Sequence, residues 1–538
     1  YTRPVTRIEA SRWIYQNVNS ALNFKVETQQ GIQNFPVAMR NDMQATVEKP
    51  IVQAFRPEKT ATLVSLQLTH VVNTTKPNDI DNLVVIISEY ADGSNRIAAG
   101  LVSAAFAPGD DPRGSSYLIE LNAPVAVEKD KQYYIVVQPV ASDSIFYLAG
   151  STELMMVDSN GTTIQYLPEL VTGIRPDQEY TTIVSFQQSG TLNEMFIPRA
   201  VDWEASPGKK DLTVTIKDPD SGEILTKGTI QSEFGPGINV RGDAYTVQFT
   251  PALTITQDKM YTVSIAVSNG TIAFYGDKQA IESSWDDSLP YPMDGYNPFD
   301  YYTGIYRSDL NFEMYWDDNT DKLKRMESIL DQADYLFISS NRQYATTVRV
   351  PERYPLTTEY YRQLMGCPED KDLVWCYNVA KPGMFQGNLG FELAAVFQSN
   401  PNLGNLEFNT QFAEEAFTVY DAPKVLIFKK TSDYDAAKTA SILEAVDLTQ
   451  VVHLTPRQAS KYHGNLLLSK EDQVKQQAGG TWSEIFNRNS ILNKVKPIGV
   501  IAWYLVIMLV GWLVTPWLRL GLWGLPDKGY PFARIFGL

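Results

Sequence analysis

Four carboxylates, Glu282, Asp286, Asp287 and Asp294, fall close together in the sequence beside Trp285 and Tyr291. Neighbouring carboxylates can exchange protons or hold a divalent cation, and aromatic rings stack on sugar faces. A substrate-facing role for Trp285, Asp286, Asp287 and Asp294 is one expectation. Turns carrying solvated acids are the alternative. Further on, Ser339-Ser340-Asn341-Arg342 follow an apolar run that reads as a strand, Tyr335–Ser339. Folds that alternate strands and helices place ligands beyond the carboxyl ends of their strands. Asn341 and Arg342 are therefore candidate ligand contacts. Arg342, Arg349, Arg353 and Arg362 could hold a lipid phosphate, because a guanidinium makes two parallel bonds to it. Ion pairs with Glu352, Glu359 and Asp334 are the plainer account of these arginines.

Other chemistries are poorly supplied. The two cysteines, Cys367 and Cys376, and three histidines, His70, His453 and His463, do not make a four-ligand zinc set. The cysteines have eight residues between them, so a local disulfide closing a surface loop is expected outside the cytoplasm. Two unrelated thiols are the alternative. The sequence has no GxSxG, HExxH or Walker-type loop, and no GxGxxG in a strand–helix unit, so soluble hydrolase, zinc protease and nucleotide-binding readings lack support. A net charge of −16 argues against nucleic acid as a partner. No metal ligands and no cofactor are assigned to this chain; a divalent cation is an expectation for the full protein only.

The elements that would position these residues change character along the chain. At 538 residues the chain exceeds the roughly 250–300 that one core supports. Residues 1–20 read as a short amphipathic helix following a membrane domain not contained in the chain. Residues 45–283 alternate apolar runs with Asp-Gly, Pro-Gly and Asn-Gly turns, the pattern of antiparallel sandwiches. The region repeats. The stretch Tyr117–Tyr133 matches Tyr245–Tyr261 at an offset of 128, and Leu83–Ile87 matches Leu212–Ile216 at 129. Two tandem β-sandwiches are expected, over 45–165 and 173–283.

Residues 284–450 read as an aromatic, acidic segment followed by an α/β domain. Helices are expected over Asp321–Gln332, Thr357–Met365 and 435–446, with strands at Phe391–Phe397, Ala416–Tyr420 and Lys424–Phe428. Residues 455–497 read as a polar linker. Residues 498–518 are 21 in number with no charge, enough to cross a hydrocarbon core as a helix. Residues 519–538 read as a post-membrane loop and the start of a further span, so the chain is expected to be a segment of a longer protein. Arg488, Lys494 and Lys496 before the span nearly balance Arg519, Lys528 and Arg534 after it, so charge does not fix orientation. The acidic body and the cysteine pair favour placing residues 1–490 outside the cell membrane. The expected fold class is mixed: tandem antiparallel β-sandwiches, an α/β domain and a C-terminal transmembrane α-helix.

Several stretches resemble an uncharacterised prokaryotic family of multi-spanning membrane proteins nicknamed YYY, similar in layout to GT-C glycosyltransferases. They are Trp285–Pro290, Leu310–Trp316, Asp331–Arg342, Pro351–Tyr361, Gly390–Leu393, Glu415–Phe428 and Leu525–Tyr530, with Tyr1–Tyr15 at the start. The sandwiches and the loop 366–388 depart from this pattern as insertions. The resemblance implies a polyprenyl-phosphate sugar as donor and a glycan or protein acceptor. Its catalytic carboxylate would lie upstream of Tyr1, so no catalytic residue is assignable in this chain. Two functions stay open: part of a GT-C-like glycosyltransferase, or a membrane-anchored surface protein whose sandwiches bind glycan or protein without catalysis.

Overall fold

The fold comes from a computed structural model. It describes residues 5–37, 39, 43–57, 60–109, 111–129, 131–150, 152–157, 161, 163–166, 173–176, 179–237, 239–283, 289–296, 310–404, 406–453, 474 and 490–536. The chain forms two units, Tyr1–Val452 and His453–Leu538.

In the strand Ala61–Asn73 the buried residues are Ala61, Leu63, Leu66, Leu68, Val71 and Asn73. The spacing of two slips twice. Each slip is a β-bulge against Ser115–Val127, one after Leu63 and one after Leu68. A bulge inserts an extra residue and bends the strand, which lets one sheet curl over its own core. The strand Gly190–Asp202 carries the same two bulges against Asp243–Ile255, after Leu192 and after Ile197.

The order of six strands repeats. In the first sheet Ala61–Asn73 is followed by Ser115–Val127, Arg96–Ala105, Ile80–Ser88, Tyr133–Pro139 and Ile51–Phe55. In the second, Gly190–Asp202 is followed by Asp243–Ile255, Ile224–Ser232, Lys210–Lys217, Met260–Val267 and Tyr180–Ser185. The cores correspond residue by residue: Leu66, Leu83, Val85, Ile135 and Val137 in one; Met195, Leu212, Val214, Val263 and Ile265 in the other. The Tyr133 hydroxyl accepts from Glu128 N at 3.0 Å, and the Tyr261 hydroxyl accepts from Thr256 N at 3.0 Å.

A hairpin precedes both repeats in sequence, Leu22–Thr28 with Gly31–Val37. It pairs with Gly190–Asp202 of the second sheet, Asn23 opposite Phe196. Phe24 and Phe35 enter the second core.

The α/β part is built on a four-stranded sheet in the order Gln279–Ile281, Tyr335–Ile338, Val425–Lys430, Phe391–Phe397. The first two strands are parallel and the other pairs antiparallel. Successive strand side chains face opposite sides. Tyr335, Phe337, Val425 and Ile427 meet the opening helix, Thr6–Asn17, through Ala10, Ile14 and Tyr15 and the residue that ends it, Val18. Leu336, Ile338, Leu426 and Phe428 face the helices Thr320–Gln332, Pro355–Met365 and Ala436–Glu444. Asn319, Asp372 and Asp435 cap helices by accepting from Lys322 N, Trp375 N and Lys438 N. Gly366 ends Pro355–Met365 at φ 73°, a conformation that favours glycine. The opening helix thus completes the α/β layer, and both sandwiches are an excursion between Val18 and Gln279.

Ala416–Tyr420 is not the strand its apolar alternation suggested. Phe417–Asp421 is a π-helical turn, with Ala422 N bonded to Phe417 O at 2.8 Å. The central strand Val425–Lys430 already has a neighbour on each edge, so no place in the sheet remains beside it. The Thr418 hydroxyl also bonds back to the carbonyls of Glu414 and Glu415, which favours the coil over the extended chain. Cys367 and Cys376 are joined as a disulfide with Cα atoms 5.9 Å apart.

In the second unit, Lys496–Gly521 is a helix of 26 residues, about 39 Å long at 1.5 Å per residue. Only 11% of its most apolar 18-residue window is buried. Trp503, Trp512 and Trp517 are exposed. The Thr515 hydroxyl satisfies itself on Gly511 O at 2.8 Å. This helix is long and apolar enough to cross a bilayer, and it contains the expected span 498–518.

Candidate functional site

The strand Tyr335–Ile338 is buried throughout and delivers Ser339, Ser340 and Asn341 at its carboxyl end, all of them buried. The strand end is held from two directions. Arg7 of the opening helix donates from Nε to Ser339 O at 3.3 Å and from Nη2 to Val419 O at 3.0 Å. Thr6 donates its hydroxyl to Pro423 O at 2.6 Å. The π-helical turn supplies the other wall, where Asn341 Nδ2 donates to the Thr418 hydroxyl at 2.8 Å. Arg342 bonds to the Tyr420 hydroxyl at 2.7 Å and lies 5.2 Å from that ring's centre. π-turns inside helices recur at functional sites. The Ser339 hydroxyl and Asn341 Oδ1 are buried and have no hydrogen-bond partner among the described residues.

The other end of the same strand begins at Asp334, which carries charge chemistry of a structural kind. Arg241 and Arg199 of the second sandwich both bind its carboxylate. Burial works against that charge, but Arg241 overrides it and holds the carboxyl down to about 2. Next to it, Asp277 is pushed up to about 6 by burial and then by the charge of Asp334.

A third cluster lies inside the α/β core. Tyr344, Tyr360, Tyr361 and Tyr377 are fully buried. Tyr361 donates to Glu282 Oε1 at 2.6 Å, and Tyr377 donates to Tyr361 O at 2.8 Å. Burial raises all four phenols well above the ordinary tyrosine range, so they stay neutral.

Of the residues singled out in the sequence, the structure brings Asn341 and Arg342 to one strand end. Trp285, Asp286 and Asp287 lie outside the described residues. Asp294 sits on an exposed turn and pairs with Arg12 at 3.0 Å. Arg353 is engaged elsewhere, on Asp317 at 3.0 Å. Arg362 donates to the carbonyls of Cys367 and Pro368, and Arg349 is exposed. The four arginines are therefore tied to different parts of the α/β unit. Asp334 takes its partners from the sandwich, where the sequence suggested a local arginine. The site residues that sequence spacing missed are Arg7, Thr418 and Tyr420, which reach Ser339, Asn341 and Arg342 only through the fold. Among the described residues, no three His, Cys, Asp or Glu side chains converge as a metal set.

No family model and no curated protein matches the chain. Among solved structures it is similar to a glycosyl hydrolase family 2 member from Bacteroides cellulosilyticus DSM 14838. The identity is 7%, over 49% of this chain and 36% of that one, with a TM-score of 0.16. It is also similar to the T=1 Penaeus vannamei nodavirus structure, at 9% identity over 48% of this chain and 96% of that one, with a TM-score of 0.12. The chain spans about a third of the hydrolase chain's length.

Proposed function

We propose that this chain is the extracytoplasmic body and membrane-entry helix of an integral membrane glycosyltransferase of the GT-C layout, working on a polyprenyl-phosphate sugar. The observation that carries the reading is the core shared by the opening helix and the α/β sheet. Ala10, Ile14 and Val18 pack with Phe337, Val425 and Ile427, although the sandwiches intervene in sequence. Described residues of three resembling stretches, 1–15, Asp331–Arg342 and Glu415–Phe428, thus share one core, with the sandwiches inserted between them in sequence. The apolar helix Lys496–Gly521 is consistent with a protein that works at a bilayer. Residues 1–490 stand outside the membrane in this reading, which suits the disulfide Cys367–Cys376. A glycan or a protein is the acceptor, and the catalytic carboxylate belongs to a part of the protein before Tyr1.

The test uses the intact protein in membranes, supplied with labelled polyprenyl-phosphate sugars and membrane extract as acceptor. Transfer of label is expected, and its loss in Asp286→Ala and Asp287→Ala would place those acids at the substrate. Absence of transfer from every donor would overturn the reading. Full transfer in both variants would remove the two acids from the site.

A further inference from the structure

Thr181–Phe186 reads Thr-Thr-Ile-Val-Ser-Phe, a stretch with no charge, proline or glycine. Such a composition favours pairing as a strand. The strand it belongs to, Tyr180–Ser185, ends the second sandwich's sheet. One edge pairs with Met260–Val267 without a bulge. Among the described residues no strand pairs with the other edge. An open edge presents a row of N–H and C=O groups, and proteins ordinarily blunt it with a charge, a proline or a bulge. Thr181–Ser185 carries none of these.

The first sandwich treats the equivalent strand differently. Ile51–Phe55 pairs with Tyr133–Pro139 as Tyr180–Ser185 pairs with Met260–Val267. Ala54 is opposite Tyr134 and Ile183 is opposite Thr262, positions related by the same offset of 128. Ile51–Phe55 is buried throughout, and Val52 and Ala54 pack with Tyr134, Val136 and Trp203 of the second sandwich. Ala54 is 6% exposed, whereas Ile183 is 63% exposed. The neighbour that covers this part of the first sandwich thus has no counterpart over Ile183.

We propose that Thr181–Ser185 is a dimerisation strand, which pairs antiparallel with the same strand of a second copy about a two-fold axis at Ile183. A two-fold interface must be self-complementary. In this register Ile183 meets Ile183 on the outer face, and Thr181 meets Ser185 beside it. Thr182 meets Val184 on the core side. Just beyond the pairing Glu179 is opposite Gln187, so no like charges face each other. A shift of one residue would set outward side chains opposite inward ones. Among registers that keep the faces matched, only the one centred on Ile183 pairs Thr181–Ser185 along its whole length. So short a pairing buries less than the roughly 1,200 Å² of a stable interface. The association is weak in dilute solution and gains when the helix Lys496–Gly521 confines both copies to one bilayer, which raises their effective concentration.

The experiment uses cysteine cross-linking of the full chain in liposomes, at low and high protein density, with copper phenanthroline as oxidant. Cys367 and Cys376 are joined to each other, so the wild type has no thiol to cross-link. Opposite residues in an antiparallel pair have Cα atoms about 4.5 or 5.5 Å apart, within reach of a disulfide. Ile183→Cys is expected to give a covalent dimer on a non-reducing gel, more at high density. Thr181→Cys alone should give at least tenfold less, because its two copies would lie about 13 Å apart along the strands. Thr181→Cys mixed with Ser185→Cys should cross-link again. Adding Ile183→Lys to both members of that mixture should cut the yield at least tenfold, since like charges then meet on the axis. Thr181, Ile183 and Ser185 are exposed, so the unfolding temperatures should match the wild type. No dimer from Ile183→Cys at either density would overturn the proposal; that is also the result if another protein's strand fills the edge. Equal cross-linking of Thr181→Cys alone, the mark of random collision, would overturn it too. So would a yield that Ile183→Lys leaves unchanged.

Discussion

Arg241 of the second sandwich grips Asp334 of the α/β unit with both guanidinium nitrogens, Nη1 to Oδ2 at 2.9 Å and Nη2 to Oδ1 at 2.9 Å. Arg199 adds a third bond at 3.2 Å, and Lys278 N a fourth at 2.8 Å. This pair fastens the inserted sandwich to the sheet that bears the strand-end site. Removing one partner of a buried ion pair leaves the other charge uncompensated. Asp334→Asn is expected to cost about 3–5 kcal/mol, read as a lower midpoint in urea unfolding.

Asp277 behaves in the opposite sense. Its folded-state value, about 6, lies above that of an unfolded aspartate. The folded protein therefore holds more protons between about pH 4 and 6, and stability falls as pH rises through that window. Arg241, Arg199, Lys25, Lys430 and Asp334 are the charges around this pair. Asp277→Asn should flatten that part of the pH–stability curve and raise stability at pH 7 relative to the wild type. An unchanged slope in denaturant titrations at pH 4, 5, 6 and 7 would rule this out.

The two sandwiches should fail at equivalent glycines. A Cβ at Gly100 would sit 2.4 Å from Ile119 Cγ2 and 2.8 Å from Glu120 O. At Gly228 it would sit 2.5 Å from Val247 Cγ1 and 2.4 Å from Gln248 O. Gly100→Ala and Gly228→Ala are each expected to cost about 1–3 kcal/mol by overpacking. Thermal unfolding of the two variants checks whether the repeats respond alike.

Tyr361→Phe removes the 2.6 Å donor to Glu282, which is buried in the α/β core. The expected loss is about 1–3 kcal/mol. A fall in urea midpoint of that size, with the far-ultraviolet circular dichroism unchanged, is the predicted signature.

Joint replacement of Cys367 and Cys376 by serine opens a short loop. Loop-closure entropy sets the expected cost at about 2–3 kcal/mol. The same loss should follow reduction with dithiothreitol, measured as a lower unfolding temperature of the wild-type chain.

Local pattern by itself determined much of this protein. The offset of 128 was readable because equivalent strands must present the same inward residues, as Val127 and Ile255 do. The span 498–518 was readable because length and lack of charge decide whether a helix suits a bilayer. Apolar spacing marked the helices near Asp321, Thr357 and Ala436. Tertiary structure alone decided the rest. The opening helix belongs to a sheet whose strands begin at Gln279, and the hairpin at Leu22 belongs to the second sandwich and not the first. Phe417–Asp421 has the composition of a strand and coils because both edges of Val425–Lys430 are occupied. The strand-end site needs Arg7 beside Ser339 and Thr418 beside Asn341. Such partners, hundreds of residues apart in the first case, are chosen by how the layers close around a shared core, and no local spacing encodes that choice.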